Sequence, residues 1–212
     1  MCTVADEKSQ YDPPALFVHT PKTGGTSISR LPWVASMGHR TWWISRMRFP
    51  EQWEKSFRFG FVRNPWARMA SFFWSAGESE FARRPDRRHD LDFVRQQFRA
   101  WMHTKGLERL ADPNMNAQHQ LVLPGGGLQV HFVGRTECMV EDLTYVAEKI
   151  GQKVPDPLPR ENVFKLDVPH WREMYDNDTS RIVRTLSTFE VHYLRYTFEE
   201  DLPARRASIG EP

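Results

Sequence analysis

The sequence predicts an α/β fold, a parallel sheet flanked by helices on both faces. Three stretches carry that reading. Phe17-Val18-His19-Thr20-Pro21-Lys22-Thr23-Gly24-Gly25-Thr26-Ser27 passes from an apolar run, through a glycine turn, into a helical pattern. About forty residues on, Phe59-Gly60-Phe61-Val62-Arg63-Asn64-Pro65-Trp66-Ala67-Arg68-Met69-Ala70-Ser71 repeats the order strand, turn, helix. Residues Gln129 to Val133 then alternate like a strand, and Glu137 to Ile150 follow with amphipathic helical spacing. Strands alternating with helices build a parallel sheet, and ligands of such sheets bind at the carboxyl ends of the strands.

The elements read in order as follows. Residues 1–13 are polar and form a loose leader. Ala15 to His19 make the first strand and Thr26 to about Val34 the first helix. Thr41 to Ile44 read as a short second strand, and Pro50 to Lys55 as one or two helical turns. Phe57 to Val62 form a buried strand. Asn64 is the expected N-cap and Pro65 the first residue of the helix to Ala76. Leu91 to Met102 have helical spacing, Pro124-Gly125-Gly126-Gly127 marks a turn, and Pro155, Pro157 and Pro159 mark an extended loop. Val168 to Tyr196 are mostly helical, and residues 201–212 make a flexible tail. Residues 14–200 thus read as one domain.

Composition agrees. The chain has 212 residues, 40% apolar and 26% charged, which suits a globular core rather than disorder. The formal net charge of +2 gives no overall case for nucleic acid. Cys2 and Cys138 are the two cysteines, so a disulfide framework is not expected and a reducing, cytoplasmic setting is. No apolar run reaches the roughly 18 residues of a membrane span, and the N-terminus has no signal-peptide core.

The first turn has the makings of an anion cradle. Successive main-chain N–H groups at a strand-to-helix turn point at a negative group, and a helix start favours it. Gly24 and Gly25 let the backbone approach a ligand, and Lys22 adds a mobile cation. Lysine precedes the glycines, so this is not a Walker A loop, in which Lys-Ser/Thr follows them. Arg63 ends the second strand, and Ser71 lies two helical turns further on, so a second anionic group can bridge them.

Together these two stretches resemble the nucleotide-binding pair of the sulfotransferases that use 3′-phosphoadenosine 5′-phosphosulfate (PAPS). The wording Pro-Lys-Thr-Gly-Gly-Thr-Ser is most similar to the carbohydrate-type branch, which includes heparan sulfate 2-O-sulfotransferase and bacterial relatives. The resemblance covers residues 15–75 and is weaker near Phe132 to Glu137. It implies a P-loop-like domain. It also implies that Lys22, Thr23, Gly24, Gly25, Thr26 and Ser27 hold the 5′-phosphosulfate, and that Arg63 and Ser71 hold the 3′-phosphate. The late proline-bounded loop, with Arg160, Asn162 and Lys165, would close over the nucleotide or acceptor. The product would be adenosine 3′,5′-bisphosphate, and no metal is required. The acceptor implied is a hydroxyl-bearing carbohydrate or small molecule.

The same resemblance makes His39, in Met37-Gly38-His39, the base that takes the acceptor's proton, with Lys22 stabilising charge on the leaving phosphate. His19 is the rival base. The plain alternatives are a core-edge histidine at 39, an ion-pair role for Arg63 and a back-bonded hydroxyl at Ser71. Arg83 to Arg88 can meet an anionic acceptor or simply be solvated. Trp42, Trp43, Trp66, Trp74 and Trp101 divide between a cleft and the core. Two other functions stay open: a P-loop kinase-like phosphotransferase for a small molecule, and a non-catalytic nucleotide-binding protein.

Overall fold

The computed structural model describes residues 15–75, 85–124, 126–159 and 168–200. In chain order the elements are β1 (Ala15–Val18), α1 (Gly25–Ile28), β2 (Val34–Ser36), α2 (Trp42–Arg48), α3 (Pro50–Lys55), β3 (Phe57–Val62) and α4 (Pro65–Ser75). Then come α5 (Leu91–Trp101), α6 (Leu107–Ala111), α7 (Ala117–Leu121), β4 (Phe132–Arg135), α8 (Met139–Lys149) and α9 (Asn177–Leu186). A π-helical turn, Met102–Gly106, joins α5 to α6, and a second, Phe189–Tyr193, follows α9. The chain divides into two compact units, residues 1–62, 113–163 and 205–212 in the first and residues 63–112 and 164–204 in the second.

The first unit holds the sheet. Its four strands are parallel in the order β2-β1-β3-β4. All of β1 is buried, as expected of a central strand covered on both faces. Side chains alternate across it. Ala15, Phe17, Phe59 and Phe61 pack with Leu143, Val146 and Ala147 of α8 and with Ile28 of α1. Gly60 points the other way, and a Cβ there would meet Leu121 of α7. Helices therefore cover opposite faces of the sheet, and each buried Phe contributes about 1.5–3 kcal/mol.

Several expected elements differ. The helix begun near Thr26 stops at Ile28, and Val34 belongs to β2. The N–H groups of Arg30 and Leu31 turn to the tighter carbonyls of Ser27 and Ile28, and Pro32 then has no N–H to continue the ladder. The strand expected at Thr41 to Ile44 is the start of α2. The Thr41 carbonyl accepts from the Ser45 N–H (3.2 Å) and hydroxyl (3.1 Å), and this overrides the β preference of Trp42 and Ile44. The strand expected from Gln129 begins at Phe132, because the Gln129 N–H donates to Leu121 at the end of α7 (2.8 Å).

The second unit is helical. Asn64 caps α4 as its position implies, its Oδ1 accepting from Trp66 N (3.1 Å) and Ala67 N (3.2 Å). Arg68 and Glu190, 1% exposed each, form a buried ion pair at 3.2 Å. Tyr175 donates to the Trp66 carbonyl (2.8 Å), and Trp66 to the Ser180 carbonyl (3.0 Å). Asp176 and Thr179 form a capping box at the start of α9. Among the described residues no helix is long and apolar enough to cross a membrane.

Candidate functional site

The strand β1 ends at Val18, and the next seven residues build the turn. His19 and Thr20 are buried, and Thr23 is pinned inward, its hydroxyl donating to the Thr20 carbonyl at 2.7 Å. Lys22 has φ +67° and Gly24 φ +76°, with Thr23 between them outside the left-handed region and Gly25 opening α1. Two left-handed residues one apart are a feature of main-chain concavities suited to an anion. Among the described residues the N–H groups of Thr23, Gly24 and Gly25 donate no hydrogen bond. Gly24 N-caps α1, and its carbonyl accepts from Ser27 (3.1 Å) and Ile28 (3.4 Å). α1 has only four residues, so its dipole adds little, and the field here comes from local N–H groups and Lys22.

Gly25 is demanded by a neighbour, and Gly24 by its own left-handed φ. A Cβ on Gly25 would overlap the His19 imidazole, and one on Gly24 would overlap the end of Met139, the first residue of α8. His19 stacks on Phe17 (centroids 5.0 Å) and meets His39 edge-on (4.3 Å). His39 follows Gly38, whose φ of +65° turns the chain after β2. The fold therefore brings Lys22, His19 and His39 together, and the charge of Lys22 is felt at His39.

Burial and the neighbouring His39 push His19 down to a pKa of about 3, so it is neutral at physiological pH. Partial desolvation, and then Lys22, hold His39 below its ordinary value. His19 is 7% exposed, whereas His39 is solvent-accessible. Of the two, only His39 can meet a molecule from solution. Gln120 of α7, fully buried, donates to the His19 carbonyl (3.3 Å) and the Asn114 carbonyl (2.8 Å). Among the described residues its Oε1, the Thr20 hydroxyl and His19 Nδ1 are buried without a partner, polar capacity the chain itself leaves unused. No local pattern marks Gln120 or Met139, since their roles rest on contacts a hundred or more residues away.

Arg63 and Ser71 belong to the second unit. Both are half-buried, Arg63 ahead of the Asn64 cap and Ser71 on α4. Among the described residues the Ser71 hydroxyl makes no hydrogen bond, so it is not back-bonded to its own helix. Arg160 and Lys165 lie outside the described residues, as do the leader and the tail. Of the basic run, Arg87 pairs with Asp90 and stacks on Phe93 (3.8 Å), while residues 83 and 84 lie outside. Trp66 and Trp101 are core, and Trp43 is 48% exposed. Among the described residues no group of three or more His, Cys, Asp or Glu side chains is placed to hold a metal ion. Comparison with known proteins gives no match to a protein-family model, a curated protein or a solved structure.

Proposed function

We propose that this chain is a PAPS-dependent sulfotransferase with a P-loop-like sheet, transferring a sulfuryl group to the hydroxyl of a carbohydrate or small-molecule acceptor. The observation that carries the reading is the turn from Lys22 to Gly25, with left-handed backbone at Lys22 and Gly24, three N–H groups that donate to nothing among the described residues, and a lysine beside them. That donor set fits a phosphate-like group.

PAPS would supply a sulfuryl group already activated on a phosphate that departs as part of adenosine 3′,5′-bisphosphate. Lys22 and the N–H groups of Thr23, Gly24 and Gly25 hold the anionic end and stabilise negative charge that grows there. His39, neutral at physiological pH and open to solvent, accepts the acceptor's proton. His19, buried and neutral, holds His39 from behind and fills the space that Gly25 leaves. Arg63 and Ser71 hold the 3′-phosphate.

Calorimetry with two nucleotides tests the reading. Adenosine 3′,5′-bisphosphate should bind about tenfold to 150-fold more tightly than adenosine 5′-monophosphate, the range of one charge-assisted contact worth about 1.5–3 kcal/mol. Arg63→Ala should remove most of that difference and spare the monophosphate. With labelled PAPS, Lys22→Ala should lower turnover by about two or more orders of magnitude. Equal affinity for the two nucleotides in the parent protein would sink the proposal in favour of a kinase-like phosphotransferase.

A further inference from the structure

We infer that a cleft in the second unit is a separate binding site for a small organic monoanion with an apolar body. Its volume is about 500 Å³, within the range of roughly 300–1,000 Å³ that small-molecule sites occupy. The start of α4, the end of α9, the π-helical turn at Phe189–Tyr193 and the chain that follows it enclose the space. Half-buried Val191 lines it, and the buried Trp66 and Tyr196 form the layer behind. Arg184, His192, Arg195 and Glu199 line its open part.

Charge decides the ligand class. Among the described residues no hydrogen bond or ion pair engages the side chain of Arg184, Arg195 or Glu199. Two guanidiniums against one carboxylate leave the cleft with positive charge in excess. A single negative head group matches that excess, and Val191 with the aliphatic stems of the arginines matches an apolar body.

The backbone supplies a second, independent observation. Arg195 has φ +61°, a conformation costly for a long side chain. It is held there from both sides. Leu194 N–H donates to the Phe189 carbonyl (3.1 Å) and Tyr196 N–H to the Glu190 carbonyl (3.1 Å), and Glu190 is itself fixed by Arg68. Residues locked in such regions cluster where ligands are clamped, and π-helical turns are frequent at functional sites. Ser71 stands off the cleft, since it lies roughly 140° around α4 from Trp66 at about 100° per residue.

Calorimetry on the full chain tests this with 4-nitrobenzoate and 4-nitrobenzenesulfonate, which carry carboxylate and sulfonate heads, and with neutral 4-nitrobenzamide. Both monoanions should bind with one-to-one stoichiometry, at least tenfold more tightly than the amide. Arg184→Ala and Arg195→Gly should each weaken the anions by about tenfold or more. Arg195→Gly should also melt no lower than the parent, because glycine accepts the left-handed backbone. Lys22→Ala should bind both probes as the parent does, so failure of the sulfotransferase reading leaves this result unchanged. Absence of binding at millimolar probe, equal binding of the amide, or parent-like affinity in both arginine variants would overturn the site. Loss of binding in Lys22→Ala would overturn it as well, by moving the anion to the glycine turn.

Discussion

Replacing His19 with glutamine should flatten the acid side of the stability curve. His19 is 7% exposed, and burial together with His39 lowers its pKa from 6.5 to about 3. The folded protein therefore refuses a proton that the unfolded chain accepts below about pH 6.5. For a group depressed in this way, the stabilisation is complete above the unfolded pKa and is lost as pH falls toward the folded one. The slope between them is about 1.36 kcal/mol per pH unit. Acidification from about pH 7.5 to about pH 5 crosses roughly 1.5 units of that window and should remove about 2 kcal/mol through His19 alone. His39 and His131 are also depressed and act with the same sign, but they remain in the variant. Urea unfolding of the parent and His19→Gln at the two pH values isolates the difference. The parent should lose about 2 kcal/mol more than the variant. Parallel losses in the two proteins would refute a buried, neutral His19.

Two further outcomes follow from packing. Gly25→Ala should destabilise by about 1–3 kcal/mol, because its methyl overlaps the His19 ring, and most of that cost should vanish in a His19→Ala background, read by thermal unfolding of the four proteins. Glu190→Gln should cost about 3–5 kcal/mol in urea unfolding by leaving the Arg68 guanidinium buried without its charge partner, whereas Arg68→Met combined with Glu190→Leu should recover most of it.

The sheet was legible in the sequence wherever a strand was buried on both faces and ended in turn residues. Phe57 to Val62 is such a strand, and Asn64-Pro65 announces the helix after it through a local hydrogen bond. Elements in which a local hydrogen bond overrides residue composition were not legible. Trp42-Trp43-Ile44 has strand composition but forms a helix anchored through the buried Ser45. β2 was missed at the end of an expected helix, because the break depends on where carbonyl partners switch before Pro32. The glycine turn itself was legible, since Lys22 through Ser27 carry their chemistry in consecutive residues. The pairing of His19 with His39 was not, because twenty residues and a strand crossover separate them. The cleft lined by Arg184 and Arg195 had no sequence signal, as charged residues near a chain's end usually read as solvated surface.

Backbone strain links the two candidate sites. Among the described residues, two non-glycine residues have a left-handed φ, Lys22 and Arg195. Asn, Asp and glycine are the residues that usually take this conformation, because a short side chain tolerates it. Here both are long cations, one in each unit, and each costs on the order of 1–3 kcal/mol to hold. Neither side chain builds a core. Lys22 is half-buried beside N–H groups that donate to nothing among the described residues, and Arg195 lines a cleft with an excess positive charge. A glycine at either position would satisfy the backbone at less cost and would remove the charge. The cation is thus what each strained position supplies that a relaxed one would not, and the two proposals each set an anion against one of these cations, where the backbone is already held before binding.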